Sequence, residues 1–286
     1  MTAPSKAVLI TGCSSGIGRA TAARLAALGW SVHASARRPD SIADLRDHGC
    51  TTLACDVTDE DSMRAAVARV ADAEGAVGVL INNAGYSQSG AVESVAIDDV
   101  RRQFETNVFG ALRLAQLVLP AMRRQGWGKI VNVSSMGGKL TLPGGGIYHA
   151  SKHALEAASD ALRFEVRGFG VDVIVIEPGL IKTAFGAVAS ASIPAQPSPE
   201  SGPYGAFNTA VATVSTEAYE SGPLARLGGP PESVAAVIAK ALAASHPRPR
   251  YAVTASARIL MGARRVLPDQ AFDAMLRSGM PQPNDR

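Results

Sequence analysis

Short apolar runs alternate with longer helical stretches up to about residue 181, and this alternation limits the possible folds more than any other feature of the chain. Apolar or β-branched runs recur at residues 7–10, 31–34, 51–54, 77–81, 129–133 and 171–176, and each has the length and composition of a buried strand. Between them, residues 17–28, 61–73, 99–124 and 148–168 carry apolar side chains at helical spacing, several behind Ser, Thr or Asp caps. Strand, helix and strand in succession make a parallel sheet, whose crossovers are right-handed almost without exception and cover both faces. The expected fold class is α/β: one doubly wound domain, a parallel sheet of about seven strands with residues 250–254 as the last, and helices on both faces. Ligands of such sheets bind beyond the carboxyl ends of the strands, so the chemistry should lie in strand-to-helix loops.

Composition narrows the function. Lys and Arg number 28 against 25 Asp and Glu, a net charge of +3. No basic run is long enough to suggest a nucleic-acid partner. Cys13, Cys50 and Cys55 form neither a C-x-x-C pair nor an even set, which reads as reduced thiols in a cytoplasmic protein. Residues 7–10 are too short for the apolar part of a signal peptide. No run approaches the roughly 18 apolar residues of a membrane span. No metal site is expected.

Thr11-Gly12-Cys13-Ser14-Ser15-Gly16-Ile17-Gly18 follows the first strand directly and opens the first helix. Gly12 suits a tight turn, Gly16 lets backbone approach a pyrophosphate, and Gly18 lets helix and strand pack closely; the helix N-terminus adds unpaired N–H groups and a positive dipole end. The second strand ends in Ala34-Ser35-Ala36-Arg37-Arg38. A carboxylate here would select the ribose 2′-hydroxyl of NAD, whereas Arg offers a planar fork of donors to a 2′-phosphate. The expected cofactor is therefore NADP(H), with NAD(H) as the other possibility, although Arg37 and Arg38 would also suit a solvated turn before Pro39. Asp56-Val57 ends the third strand, where the carboxylate could accept from the adenine amine or cap the next helix.

Asn82-Asn83-Ala84-Gly85 closes the fourth strand with small residues that let the chain pass close to a cofactor. Tyr148 and Lys152 stand four apart on the opening turns of an apolar-faced helix, so both project from one side. A nearby ammonium favours a phenolate and pulls the tyrosine toward a range where it exchanges protons with an alcohol. Ser135 ends the strand before that helix, thirteen residues ahead of Tyr148, with Ser134 as its noncatalytic neighbour.

Residues 11–18, Asn82 to Gly85, Asn107, Ser135, Tyr148-x-x-x-Lys152 and Pro178-Gly179 stand in the order of the classical short-chain dehydrogenases/reductases, and residues 5–183 resemble that family. The resemblance implies a Rossmann fold and a reversible alcohol–ketone oxidoreductase. In it Tyr148 is general acid or base, Ser135 orients the substrate oxygen, Lys152 also holds the nicotinamide ribose, and Asn107 positions a water that relays protons to Lys152. Pro178, Gly179, Ile181 and Thr183 would clasp the nicotinamide carboxamide. The cofactor contacts implied are Gly12, Ser14, Ser15, Gly16, Ile17, Gly18, Arg37, Arg38, Asp56, Val57, Asn83, Ala84, Gly85, Tyr148 and Lys152, with the clasp. Assembly as a homodimer or homotetramer through the two long helices is implied as well.

Residues 12–16, Met136-Gly137-Gly138 with Leu142-Pro143, and Lys182-Thr183-Ala184-Phe185 resemble the hydroxysteroid and retinol dehydrogenase branch, which implies a small hydrophobic carbonyl or alcohol substrate. Tyr86, Gln88, Met136, Leu142, Phe185, Tyr204 and Phe207 are candidate pocket residues with equally good packing explanations. His149 and His153 read as ordinary packed or exposed side chains. Extended relatives that epimerise or dehydrate nucleotide sugars share a similar Tyr and Lys, but the glycine spacing here fits the classical group. A nonenzymatic NADP-binding sensor or scaffold commonly lacks part of the Ser, Tyr, Lys and Asn set, which is complete here.

Residues 184–229, rich in Ala, Ser, Gly and Pro, read as a long mobile loop serving as a substrate lid, with a weak helix over 207–219. A helix from about Pro231 to Ala244 follows. Residues 255–280 read as a packing or dimer helix with Leu260, Met261, Val266, Phe272 and Met275 buried.

Overall fold

The computed structural model describes residues 3–193, 202–220, 223–280 and 282–283. Its centre is a sheet of seven parallel strands in the order β3-β2-β1-β4-β5-β6-β7. The strands are β1 (Val8–Ile10), β2 (Val32–Ala36), β3 (Thr51–Ala54), β4 (Val79–Asn82), β5 (Gly128–Val133), β6 (Val171–Pro178) and β7 (Arg250–Val253). Helices α1 (Gly16–Ala27), α2 (Glu60–Glu74), α3 (Ile97–Phe104), α4 (Gly110–Gln125) and α5 (Gly146–Val166) make the crossovers. α6 (Phe185–Ala191), α7 (Gly205–Glu220), α8 (Pro231–Ala243), α9 (Ala255–Val266) and α10 (Asp269–Arg277) follow β6, with β7 between α8 and α9.

Both faces of the sheet are dry, as near-continuous apolar strands require. Alternate residues feed opposite cores. Val8, Ile10, Ile81, Val131 and Ile174 pack under Ala22 and Leu25 of α1 and Val234 and Ile238 of α8. Leu9, Leu80, Ile130 and Val173 face Met63 and Val70 of α2 and Leu114, Val118 and Met122 of α4. Lys129, buried in β5, donates to the carbonyls of Leu242 (3.0 Å) and Ala244 (2.6 Å), closing the C-terminal end of α8. The strand order reverses between β1 and β4, whose carboxyl ends therefore open the crevice where doubly wound folds bind ligands.

Three expectations change. The helix expected over 99–124 is broken: α3 and α4 are joined by one wide π turn, Glu105–Phe109. Asn107 inside that turn is drawn inward to pair with distant backbone, and a π turn accommodates the extra residue. The loop expected over 184–229 is largely helical: α6, α7 and a 3₁₀ turn, Pro223–Leu227, occupy most of its described part. Alanine-rich sequence favours helix, and α7 has an apolar side to bury, since Phe207 and Val211 pack on Ala91. The Ile193-Pro194, Gln196-Pro197 and Ser198-Pro199 breaks expected there fall, from residue 194 on, outside the described residues. Finally, the tail is two helices parted at Pro268, and Val266, expected to be buried, is 80% exposed while Phe272 is buried.

Gly18 is where α1 meets the β1 turn. A Cβ there would lie 2.5 Å from the Gly12 carbonyl oxygen and would also strike the Asn83 amide. Gly18→Ala should cost about 1–3 kcal/mol by overpacking, read as a lower urea midpoint. An unchanged midpoint would mean that this contact relaxes freely.

Candidate active site

The loop after β1 is preset by glycine. Gly12 and Gly16 have φ of +72° and +57°, a region that costs other residues strain. Ser15 precedes α1 without a side-chain cap, so first-turn N–H groups are left for an anion. Thr11 and Gly12 are bolted to the end of β4: Asn83 Nδ2 donates to their carbonyls at 2.9 and 3.0 Å, and the Asn83 and Ala84 N–H groups donate to Thr11 Oγ1 at 3.1 and 3.0 Å. A Cβ on Gly16 would touch Thr183 Cγ2 at 3.2 Å, so the glycine loop and the segment after β6 face each other. Ile17 is half-buried at the start of α1.

Arg37 and Arg38 are exposed just beyond β2, and neither pairs with a carboxylate among the described residues. Asp56 does not cap α2. Asp59 does, accepting from Ser62 N at 2.8 Å, while Asp56 Oδ1 accepts from Thr58 N and Oγ1 at 2.9 and 2.8 Å. Val57 is buried beneath Gly110.

At the reacting end Tyr148 and Lys152 lie one turn apart on α5, 9% and 5% exposed. Lys152 Nζ donates to the Val133 carbonyl at 2.8 Å and sits 5.8 Å from the centre of the Tyr148 ring. Burial pushes this lysine down to about 8, against the opposing charge of Glu156. Ser135 lies two residues beyond β5, and its Oγ accepts from Gly137 N at 3.0 Å, capping the short turn Met136–Gly138. Its hydroxyl hydrogen is therefore left for another acceptor. Asn107 Oδ1 accepts from Tyr86 N at 3.2 Å, and its Nδ2 donates to Tyr86 O at 3.0 Å and Ser151 Oγ at 3.1 Å. This side chain is thus committed to protein partners. A Cβ on Gly85 would come 3.0 Å from Asn107 Oδ1 and 3.8 Å from Lys152 Nζ, so only a residue without one joins these groups.

Pro178 closes β6, with Ile181 bridged to Gly229. Gly179 N donates to Val253 O at 3.0 Å, and Leu180 N to Ser256 Oγ at 3.0 Å. Thr254, which precedes α9 at φ +86°, presses with Ser256 on the space Gly179 leaves. Thr254 caps α9 through Ala257 N, whereas the contacts of Ser256 with Leu180 N and of Ser151 with Asn107 Nδ2 span distant parts of the chain and leave no local signal.

The candidate pocket residues divide into groups. Phe185 lies edge-on to the Tyr148 ring at 5.4 Å. Met136 and Leu142 join Leu180 and Ala257, whereas Tyr204 and Phe207 join Ala91 and Val211. Gln88 is buried and donates to Ser192 O at 2.5 Å, and Tyr86 is half-buried. His153 is exposed. His149 is packed in a slot where Gly137 and Gly145 leave room, and its Nδ1 accepts from Leu142 N at 3.2 Å. All three cysteines are free and buried. Among the described residues no helix is long and apolar enough to cross a membrane.

A glycine-preset helix N-terminus at the crevice of a doubly wound sheet, with a buried Tyr–Lys pair beyond neighbouring strands, defines an oxidoreductase that uses a nicotinamide dinucleotide on alcohols and ketones. Comparison with known proteins makes the class definite. The short chain dehydrogenase family matches residues 6–193, and the chain belongs to that family. It is 34% identical over 275 residues to the NADPH-dependent 3-dehydrocapnine reductase of Ornithobacterium rhinotracheale, covering 93% of this chain and 94% of that one. It is 41% identical over 179 residues to the 3-ketodihydrosphingosine reductase of Bacteroides thetaiotaomicron, covering 62% and 65%. A solved short-chain dehydrogenase from Streptomyces avermitilis superposes with a TM-score of 0.79 at 34% identity, over 96% of each chain.

Burial, with the like charge of His153, pushes His149 down to about 4. An unfolded chain takes up that proton near 6.5, so the neutral form supports folding above about pH 6.5, and that support is lost as pH falls toward 4. The loss should reach roughly 3 kcal/mol. His149→Asn, which keeps an acceptor without the proton, should flatten the decline in urea-measured stability over this window. A wild-type slope in the variant would contradict the assignment.

Proposed function

We propose that this protein is an NADP(H)-dependent reductase, and reversible dehydrogenase, of a hydrophobic ketone, with Tyr148 as general acid and base. The observation that carries the reading is the buried ammonium of Lys152, anchored on Val133 one turn from Tyr148. A cation there favours a phenolate, and the proton can pass between that oxygen and a substrate oxygen. Ser135, whose Oγ already accepts from Gly137 N, donates to the same substrate oxygen and orients it. Asn107 holds Tyr86 and Ser151 in register beside Lys152. When bound, the nicotinamide supplies or removes the hydride.

The cradle fits such a cofactor. Gly12, Gly16 and the uncapped start of α1 suit a pyrophosphate, Arg37 and Arg38 suit a 2′-phosphate, and Gly179 to Thr183 faces the glycine loop. The two reductases matched above are named for 3-dehydro and 3-keto substrates, which supports a 3-ketone on an apolar chain. The apolar clusters around Met136 and Leu142 and around Phe207 and Val211 supply walls for it, and α6 and α7 serve as the lid. Exposed Phe109, at the end of the π turn before α4, and exposed Phe164 on α5 are consistent with a homo-oligomer.

Tyr148→Phe should lower kcat about 10²–10⁴-fold on any 3-ketone the wild type reduces, while NADPH fluorescence titration gives the wild-type Kd. Undiminished turnover would exclude the mechanism. Arg37→Ala with Arg38→Ala should weaken NADPH about 10-fold or more and leave NADH unchanged. An equal loss for both would remove the case for the 2′-phosphate.

A further inference from the structure

Helix α5 carries a further buried ionisable side chain, Glu156, that the mechanism above does not use. Glu156 stands one turn beyond Lys152, as Lys152 stands one turn beyond Tyr148, so all three lie on one helix face. Glu156 is 3% exposed. Its Oε2 meets Lys139 Nζ and Arg250 Nε, each at 3.0 Å, whereas its Oε1 is buried without a partner among the described residues. Arg250 also reaches Glu177 Oε1 at 3.4 Å and Asp160 Oδ2 at 2.6 Å, and Asp160 pairs with Arg163.

These charges join pieces that matter to the site. Lys139 follows the Ser135 turn, Glu177 immediately precedes Pro178 and Gly179, and Arg250 opens β7. With Tyr148 and Lys152 they are the charged and titratable groups brought to this point by α5, β6, β7 and the loop after β5. Burial and the negative charge of Glu156 push Glu177 up to about 7, so proton uptake near neutrality falls on Glu177.

A cluster of this kind is a poor way to fill space. Well-packed apolar side chains of similar volume would generally hold the fold as well or better, and a bare buried carboxylate oxygen is costly. Lys152 gives it a purpose. Burial lowers that lysine's hold on its proton, and the charge of Glu156 opposes the fall.

We propose that Glu156 is a positioning residue: from one helical turn away it holds Lys152 as an ammonium, while Lys139 and Arg250 temper how much of its charge the lysine feels. The proposal rests on the Tyr148–Lys152 reading for its catalytic meaning, but its test does not require turnover.

The full chain labelled with ¹³Cε-lysine would be titrated by NMR, with Lys152→Gln identifying the Lys152 resonance. Glu156→Gln should move the Lys152 midpoint down by about 1–2 pH units, as expected for removing a charge roughly 6–12 Å away in a medium of effective dielectric about 20. Glu156→Asp should bring it back toward wild type. Lys139→Gln, which unmasks the carboxylate, should move it up. A midpoint that stays in place in Glu156→Gln, or moves the same way in Glu156→Gln and Lys139→Gln, overturns the proposal. Should Glu156→Gln fail to fold, by near-ultraviolet circular dichroism, Lys139→Gln alone decides, and an unmoved midpoint there is equally fatal. Failure here with an inactive Tyr148→Phe leaves the catalytic reading standing, and an active Tyr148→Phe overturns that reading whatever the titration shows.

Discussion

On the proposed mechanism the ammonium of Lys152 has to be buried and still be an ammonium, and much of the architecture around it suits that demand. A lone charge in an apolar interior loses its proton or unfolds its surroundings. Here the Val133 carbonyl at the carboxyl end of β5 accepts from it, which is possible because a parallel strand that stops there leaves its last carbonyls without a ladder partner. The sheet thus supplies the acceptor and α5 the cation. What keeps them in register is a polar ladder beneath: Asn82 Nδ2 donates to Asn132 Oδ1 at 2.9 Å, and Asn132 Nδ2 to Ser159 Oγ at 2.8 Å, tying β4, β5 and α5 together.

The two ends of the site solve opposite electrostatic problems. At the proposed dinucleotide end the means of attracting an anion are local: backbone N–H groups at an uncapped helix start, two glycines at positive φ, and two exposed guanidiniums. At the reacting end a charge must be kept in a dry place, and the means are distant. Lys139, Glu177 and Arg250 arrive from three separate segments to surround one carboxylate on α5. Local devices tolerate solvent, whereas buried charge requires convergence.

That difference decides what could be read from the sequence. The strands were legible because a parallel sheet buries both faces and leaves apolar runs, and Thr51–Ala54 falls at its expected limits. The glycine loop and the Tyr148–Lys152 spacing were legible because each function lies within one or two turns of chain. The π turn was not, because its cause is the pairing of Asn107 with Tyr86, 21 residues away. Nor was the slot of His149, which depends on glycines at 137 and 145 leaving space. Helix α7 falls close to the weak helix expected over 207–219, whereas α6 was not expected, and the apolar partner of α7, Ala91, lies in another loop.

One segment draws these distant effects together. The stretch after β4 presents Tyr86 backbone to Asn107 and to Gln103 Nε2, donates from Gln88 N to Gln103 Oε1, and then meets the helices beyond β6. Gln88 Nε2 donates to Ser192 O, Ser89 N to Ser192 Oγ, and Ala91 N to Asn208 Oδ1 at 3.0 Å. Helices α6 and α7 therefore rest on the same few residues that hold Asn107, and α6 sets Phe185 against Tyr148. A displacement of α6 large enough to admit a substrate would have to break the Ser192 bonds, and their partners are two and three residues from Tyr86. The covering helices and the polar groups behind Lys152 are in this way joined through residues 86–91 by hydrogen bonds of backbone, side-chain amides and the Ser192 hydroxyl.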